Sequence, residues 1–468
     1  MQAFQPHRQP AARPFDTEAF AADLQGELLV PGTEAYEAAR QIRNADYDLH
    51  PALIVRVANA DDVSLAVRFA AAAGLQIAVR SGGHSLAGYG TVDGGVVIDM
   101  TALKGIHIDP DRRLAWAGAG LTAREYTTAA AAHGLATPFG DTGSVGIAGL
   151  TLGGGIGWLV RKYGLAIDAL QAVEIVTADG RILTASEEVH PDLFWAVRGG
   201  GGNFGIVTRF RYRLYPVEGV FGGALFMPAT IDVLGNLERL AEAAPEELTT
   251  ITFVMRMPPA PFVPEHLVGT PSVAIMFVYA GDPADGPAAI QPFRDLATPL
   301  AELAVPMPYP GIYQLLEAAE ARGFEVSRSR FLDRLDDDAV RAILAAIEVA
   351  PSPMAMVQIR ILGGAMARVP ADATAFVHRD AKVMVAVLDP YVDPSTKEVQ
   401  VAWTETLHEA LATNAVGVYS NFLEREGEDR IREAYGERTY QRLSLIKRRY
   451  DPRNLLRLNQ NIRPAGID

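Results

Sequence analysis

The chain has 468 residues and a net charge of −14, with 49% hydrophobic and 21% charged residues. Its length allows two or three domains, each with a core of its own, and its acidic balance argues against a nucleic acid or an anionic membrane as partner. The chain contains no cysteine, which excludes disulfide bonds, thiolate metal sites and cysteine nucleophiles.

The N-terminus and the histidines exclude further classes of protein. Residues 1–20 contain arginines and prolines but no apolar run, so neither a signal peptide nor a membrane anchor is predicted. No other segment is apolar over the length that spans a bilayer. The nine histidines are scattered, and no H-E-x-x-H pair indicates a metal site. We expect a cytoplasmic protein without a metal centre.

The sequence pattern of residues 1–133 predicts short helices that alternate with strands. Residues 60–73 have the pattern of a helix that ends at Gly74, and Thr122 is a suitable N-cap for a helix that reaches His133. Apolar runs separated by turn residues predict strands. The other predicted elements are a helix over 34–44 and strands over 53–57, 75–79, 96–100, 106–108 and 114–117.

Two glycine-rich segments follow, at residues 140–157 and 198–207. Between them an Asp-Gly pair at 179–180 predicts the turn of a hairpin. Three glycines of the second segment fit the G-x-G-x-x-G spacing of Rossmann units, but that fingerprint requires a helix directly after the glycines. Residues 206–214 alternate like a strand instead, so a Rossmann domain is not predicted.

The pattern beyond residue 216 predicts a second domain of mixed helices and strands. Proline-rich joins at 258–264 and 306–310 separate its elements, and the tail ends in a helix over 428–449. The predicted strands cover 251–257, 273–279, 356–362 and 382–388, and the predicted helices cover 288–303, 336–347 and 396–413.

The most informative motif is the run Val79-Arg-Ser-Gly-Gly-His-Ser85, which follows a predicted strand. Arginine supplies positive charge, and glycines let backbone N–H groups approach phosphate oxygens because no Cβ stands between them. The histidine is a nucleophile beside that site. The run therefore predicts a pocket for a dinucleotide pyrophosphate. The alternative is a tight turn that carries an incidental histidine.

Further motifs, in a fixed order along the chain, make the sequence similar to a known family. The chain resembles the FAD-linked oxidases of the vanillyl-alcohol oxidase superfamily, whose FAD-binding domain is of the PCMH type, and in particular the berberine-bridge-enzyme-like branch. The segments that carry this resemblance are residues 80–89, 149–158, 161–165, 192–205, 449–454 and 459–462.

The resemblance implies an α+β fold with three segments. Residues 1–216 would form the first part of a PCMH-type FAD-binding domain, and residues 415–468 would complete it as a berberine-bridge-like segment. Residues 217–414 would form the substrate domain, with an antiparallel sheet that lies over the flavin ring and is covered by helices on its other face.

The resemblance also assigns cofactor roles. His84 would carry FAD through a covalent bond from an imidazole nitrogen, and Arg80 with the following backbone N–H groups would hold the pyrophosphate. Thr142 stands where many relatives attach the flavin a second time through cysteine, so a single link is expected. The further residues implied at the cofactor are Ser81, Gly82, Gly83, Ser85, Tyr89, Gly143, Ser144, Val145, Gly146, Gly149, Ile206, Val207, Asn459 and Asn461.

In such proteins hydride passes from a substrate carbon to the flavin, and O2 then reoxidises the flavin to give H2O2. The resemblance therefore implies an oxidase of a small alcohol or amine. Val145 occupies the position that controls oxygen entry in the family, and its small side chain favours the oxidase. Two alternatives stay open: a flavin dehydrogenase that uses another electron acceptor, and a flavin-bound protein without turnover.

The catalytic base is the least determined feature. Many relatives carry a Tyr-x-Asn-Tyr run, whereas this chain has Tyr419-Ser-Asn421-Phe422, so phenylalanine replaces the usual phenol. Tyr419 and Asn421 are then candidates for positioning the substrate, or they pack the domain interface.

Two further candidates lie on the predicted substrate sheet. Gln358 and Arg360 project to one face of a strand, and the arginine would suit an anionic group of the substrate or form a salt bridge at the rim. His378 is a weaker candidate, which we interpret as a histidine in a solvated loop.

Overall fold

The computed structural model describes residues 17–260 and 263–466, without the side chains of 318–320. Most of the N-terminal segment discussed above therefore lies outside the described residues. The first strands build a four-stranded sheet of order β1-β2-β4-β3, a five-stranded sheet of order β5-β6-β10-β8-β9 and the pair β7-β11. Their bounds are β1 Glu27–Leu29, β2 Leu53–Arg56, β3 Ile77–Arg80, β4 Val96–Asp99, β5 Ile106–Asp109, β6 Leu114–Gly118, β7 Leu135–Ala136, β8 Leu170–Val176, β9 Ile182–Ser186, β10 Ile206–Arg213 and β11 Tyr215–Pro216.

The remaining strands form one eight-stranded sheet of order β15-β12-β14-β13-β17-β18-β16-β19. Every pairing within it is antiparallel. An antiparallel sheet can pack one face against a hydrophobic core while its other face stays uncovered. The bounds are β12 Val220–Pro228, β13 Leu248–Arg256, β14 Pro271–Tyr279, β15 Ala301–Met307, β16 Phe324–Leu332, β17 Met356–Ile361, β18 Val383–Tyr391 and β19 Ala415–Gly417.

Helices cover the outer face of this large sheet. Valines of β18 and isoleucines of β17 alternate along their strands and pack against the apolar sides of α12 and α14 in one buried cluster. The helices are α1 Thr17–Asp23, α2 Glu34–Arg40, α3 Ala60–Ala73, α4 Ala123–Ala131, α5 Ile147–Leu152, α6 Val160–Tyr163, α7 Ala166–Ala169, α8 Pro191–Val197, α9 Ile231–Gly235, α10 Leu237–Ala243, α11 Gly286–Arg294, α12 Asp337–Glu348, α13 Ala365–Arg368, α14 Lys397–Ala410, α15 Glu428–Tyr435 and α16 Glu437–Tyr450.

Local signals in the N-terminal half are confirmed. The bounds of α3 are those predicted, with Gly74 in the left-handed conformation at its end. Thr122 caps α4 in a reciprocal capping box with Glu125. The hairpin of β8 and β9 turns at Asp179–Gly180. Strand β10 directly follows the second glycine-rich segment, which confirms that this segment does not open a Rossmann helix.

Three predictions beyond residue 216 are wrong. The helix predicted over 288–303 ends at Arg294, and residues 301–307 are strand β15. That strand contains Pro306, so the proline-rich connection predicted over 306–310 begins before the strand has ended. The proline is tolerated there because β15 is an edge strand and lacks a neighbour on one side. The helix predicted over 428–449 is two helices, because Gly436 between them has a φ of +65°.

A buried lysine fastens the C-terminal segment to the glycine-rich segment before β10. The Lys447 ammonium is fully buried and donates to Asp451 at 2.7 Å, to the Asn203 carbonyl at 2.7 Å and to the Leu456 carbonyl at 2.8 Å. The Asn203 side chain in turn donates to the Gln460 carbonyl and accepts from the Ile462 N–H. We call Asn203, Lys447 and Asp451 the clasp.

Breaking the clasp is expected to destabilise the protein strongly. Lys447→Met leaves the Asp451 carboxylate buried without its cation, and we expect a loss of about 3–5 kcal/mol in the free energy of unfolding, measured by urea denaturation. The double variant Lys447→Met/Asp451→Asn removes the unpaired charge and should recover part of this loss. An unchanged denaturation midpoint in the single variant would show that the clasp is not a structural determinant.

Candidate functional site

A cavity of about 1020 Å³ lies between the glycine-rich loops and the uncovered face of the eight-stranded sheet. Its volume is that of a pocket for a large ligand. The structure brings together most of the residues that the sequence analysis assigned to the site. Those that line the cavity are Arg80, Ser81, Gly82, Gly83, His84, Ser85, Tyr89, Thr142, Val145, Gly146, Gly149, Ile206, Val207, Gln358, Arg360, Tyr419, Asn421 and Asn459.

Three residues predicted at the cofactor are not part of the lining: Gly143, Ser144 and Asn461. Ser144 nevertheless reaches the site, because its Oγ shares a hydrogen bond of 3.0 Å with Nε2 of His84. The Asn459 side chain donates to the Leu456 carbonyl at 3.1 Å, whereas its Oδ1 is buried without a hydrogen-bond partner in the structure. A buried acceptor of this kind needs a donor, so Asn459 presents an unfilled hydrogen-bonding site at the cavity.

Two loops meet at the cavity wall through their backbones. A Cβ on Gly82 would overlap the backbone nitrogen of Gly146, and a Cβ on Gly146 would overlap the Ser81 hydroxyl and the Gly82 nitrogen. Glycine is therefore required at both positions by close approach rather than by a special backbone angle. The contact places the His84 loop directly against the loop that carries Ser144, which fixes the imidazole at the wall of the cavity.

The prediction for the Arg80 side chain needs correction. Its guanidinium is buried, forms an ion pair of 2.7 Å with Asp99 and donates to the carbonyls of Ala39 and Gln41. Its charge is therefore compensated by Asp99 and its donors are directed to groups of the protein. The structure assigns Arg80 to supporting the loop that follows β3, while the backbone N–H groups of that loop remain the candidates for binding phosphate.

Tyr419 and Asn421 pack against neighbouring residues of the protein and also line the cavity. The Tyr419 hydroxyl accepts hydrogen bonds from the Gly155 N–H at 2.9 Å and from Nδ2 of Asn421 at 3.0 Å. Burial raises the pKa of Tyr419, although these two hydrogen bonds and the nearby Arg360 act in the opposite direction. The phenol is therefore neutral over the ordinary pH range. The Tyr419 ring also stacks on Phe422, with centroids 5.6 Å apart.

Arg360 belongs to a buried polar cluster that the sequence analysis identified only in part. Its Nη2 donates to Asp141 at 2.6 Å and to Oε1 of Gln358 at 2.7 Å, and its guanidinium lies 5.2 Å from the centre of the Phe422 ring. Asp141 was missed as a site residue, although it precedes Thr142 in a glycine-rich loop. Because the carboxylate compensates the arginine, the site does not present the unpaired cation expected for an anionic substrate.

His378 is not a solvated loop histidine. Its Nε2 is 2.9 Å from the Ala434 carbonyl, its ring packs against Phe331, and a Cβ on Gly417 would overlap it. Burial lowers the pKa of His378. It is a packing residue between the large sheet and the C-terminal segment.

The register of the sheet explains which side chains face the cavity. Phe253, Gln358 and Ala386 are cross-strand neighbours, and the next row outward contains Met255, Met356 and Leu388. Directly opposed residues share one face of an antiparallel sheet, and all of these except Ala386 line the cavity. The methionines were missed because their significance depends on pairing between strands about 100 residues apart.

Within 17–260 and 263–466 the structure contains no group of histidine or carboxylate side chains arranged to hold a metal ion. No helix in that part of the chain is long and apolar enough to cross a membrane.

Two family models match the chain. A model described as an FAD-binding domain matches residues 51–186, and one described as "Berberine and berberine like" matches residues 418–463. The second match contains Tyr419, Asn421, the C-terminal part of the clasp and Asn459. Both matches therefore cover segments that contribute residues to the cavity.

The whole chain is also similar to known proteins. It is 32% identical over 461 residues to (R)-6-hydroxynicotine oxidase from Paenarthrobacter nicotinovorans, an alignment that covers 95% of this chain and 98% of the relative. The crystal structure of 6-hydroxy-D-nicotine oxidase from Arthrobacter nicotinovorans is similar with a TM-score of 0.83 and 30% identity, and the match covers 94% of this chain and 98% of the other.

A more distant structure shares the fold. The xylooligosaccharide oxidase from Myceliophthora thermophila has a TM-score of 0.85 and 23% identity, with coverage of 96% of this chain and 99% of the other. These likenesses confirm the predicted fold of mixed helices and antiparallel sheets with a PCMH-type FAD-binding domain. The chain therefore belongs to the FAD-linked oxidoreductases of the berberine-bridge-enzyme-like family.

Proposed function

We propose that the protein is an oxidase that binds FAD covalently through His84, removes hydride from a small alcohol or amine and passes the electrons to O2. The observation that carries this proposal is the position of His84 at the wall of the cavity, where Ser144 holds the imidazole through Nε2. The relative 6-hydroxynicotine oxidase is named for an amine substrate, which supports the choice of substrate class.

The residues of the cavity fit FAD. Residues Ser81 to Ser85 line the cavity and include two glycines without side chains, which suits the close approach of a pyrophosphate to backbone N–H groups. The unpartnered Oδ1 of Asn459 would accept a hydrogen bond from the flavin ring. When bound, FAD supplies the acceptor for hydride and the site at which O2 is reduced to H2O2.

The protein contributes orientation and a hydrogen-bond donor rather than a strong base, because a neutral amine that loses hydride becomes an iminium ion without any proton transfer to the protein. The Tyr419 hydroxyl accepts from Gly155 and Asn421, so its own proton is directed to a further acceptor, for which we propose the heteroatom of the substrate. Because burial raises its pKa, this phenol does not act as a base near neutral pH. An amine in its neutral form requires no strong base, and this favours an amine over an alcohol.

The covalent link is tested by the intact mass of the denatured protein. The wild type should carry the mass of one FAD, less the hydrogens lost on bonding, whereas His84→Ala should show the mass of the chain alone. His133→Ala, which changes a histidine outside the cavity lining, serves as the control and should retain the flavin. A covalent flavin in His84→Ala would contradict the assignment of this residue.

The oxidase reaction is tested by stopped-flow mixing of the reduced enzyme with O2. Val145 lines the cavity, and Val145→Leu should slow reoxidation by O2 while the rate of flavin reduction by substrate stays within about twofold of wild type, because the added methylene narrows access only. Rapid reduction of a dye together with negligible peroxide formation by the wild type would favour a dehydrogenase instead.

Because Asp141 compensates the charge of Arg360, we expect the affinity of the site for anions to depend on Asp141. Asp141→Asn removes the carboxylate that pairs with the arginine, so benzoate should bind on the order of tenfold more tightly, a difference of about 1.4 kcal/mol. Binding is measured from the perturbation of flavin absorbance. Glu317→Gln, which removes an exposed carboxylate paired with Arg124, should leave benzoate binding unchanged. Equal benzoate affinity in Asp141→Asn and wild type would show that Asp141 does not control the charge of the site.

A further inference from the structure

The part of the cavity that faces the large sheet is lined by flexible apolar side chains. Met255 and Met356 are paired across β13 and β17, and Met276 on β14 is paired with Ile251 of β13. All three are only half-buried although their strands are central in the sheet, because they border the cavity. Methionine adapts its shape to apolar ligands and makes favourable contacts with rings. We call these three residues the methionine wall.

The apolar lining continues to the rim. Val268, Met354 and Val392 line the same cavity and are exposed, Val392 to 81% of its surface. Exposed apolar residues that continue an apolar pocket indicate a path for an apolar ligand, whereas isolated ones have no such meaning. The methionine wall and these rim residues line the same cavity as Gln358 and Arg360.

The charged residues in this part of the lining are already engaged. Arg43 forms an ion pair with Glu325, and Nε of Arg322 donates to the Ile42 carbonyl at 3.2 Å. Arg256 donates to the carbonyls of Gly269 and Glu348. These side chains therefore hold the walls together. The polar contacts for a substrate concentrate at Gln358, Tyr419 and Asn421.

We propose that the substrate is an amine or alcohol with an extended apolar chain or ring system, which lies along the methionine wall with its polar end at Tyr419. This inference rests on the proposed function and narrows its substrate class. An oligosaccharide would bury hydroxyl groups against methionine and phenylalanine without hydrogen-bond partners, which is unfavourable. The chain thus differs in substrate class from the saccharide oxidase that shares its fold.

The inference is tested with a homologous series of ligands. Isothermal titration calorimetry of the oxidised holoenzyme with butylamine, hexylamine and octylamine should give affinities that rise by roughly fourfold for each added methylene, the increment expected for transfer into an apolar environment. The matched primary alcohols should show the same dependence on length. Xylobiose and diacetylchitobiose should not bind. Affinity independent of chain length, or binding of a saccharide in preference to octylamine, would overturn the inference.

Two matched variants test whether the dependence of affinity on chain length arises at the methionine wall. Met356→Gln keeps the length of the side chain but places an amide in the wall, so octylamine should bind at least fivefold more weakly while butylamine, held at the polar end, changes by less than twofold. Met307→Gln alters a partly buried methionine that does not line the cavity and should change neither affinity. Equal effects of the two substitutions would overturn the assignment of the wall.

The two proposals fail in distinguishable ways. Calorimetry reports binding whether or not the flavin is reduced. If the protein binds octylamine with the expected length dependence but never transfers electrons from any amine or alcohol, the proposed oxidase is contradicted and the apolar binding role of the methionine wall stands. If xylobiose reduces the flavin, the flavin enzyme is supported and the apolar substrate class is overturned.

Discussion

The clasp is the constraint on which one wall of the cavity depends. The glycine-rich segment before β10 and the C-terminal segment after β19 are separated in the sequence by the strands of the eight-stranded sheet, and a buried ammonium that donates to Asp451 and to two backbone carbonyls joins them. A buried charge is stable only when its hydrogen bonds are satisfied. The pairing therefore specifies one position for the following residues and brings Asn459 to the cavity.

A second buried ion pair joins the first glycine-rich segment to the eight-stranded sheet. Asp141 belongs to the loop beside the His84 loop, and Arg360 belongs to β17. The pair crosses the cavity wall, so the sheet cannot shift relative to the loop without separating two charges in an environment of low dielectric constant. The same ion pair compensates the positive charge of Arg360. One ion pair thus links the loop to the sheet and compensates the charge of Arg360 at the cavity.

Sequence reasoning succeeded where the information is local. Thr122 and Gly74 mark the ends of helices through their own backbone chemistry, and the motif around His84 lies in the wall of the cavity. It failed where the outcome depends on distant partners. The partners of Arg80, the ion pair of Asp141 with Arg360 and strand β15 each follow from tertiary neighbours, which no periodicity in the sequence reveals.

The two sides of the cavity also differ in what a substitution can change. On the cofactor side Gly82 and Gly146 present backbone, and even one added carbon would force the loops apart. On the sheet side the strands are held by backbone pairing, while Met255 and Met356 project from it as replaceable side chains. A sheet tolerates exchange along its uncovered face without loss of register. Substitutions in the methionine wall can therefore change the shape of the cavity without disturbing the contact between the two glycine loops.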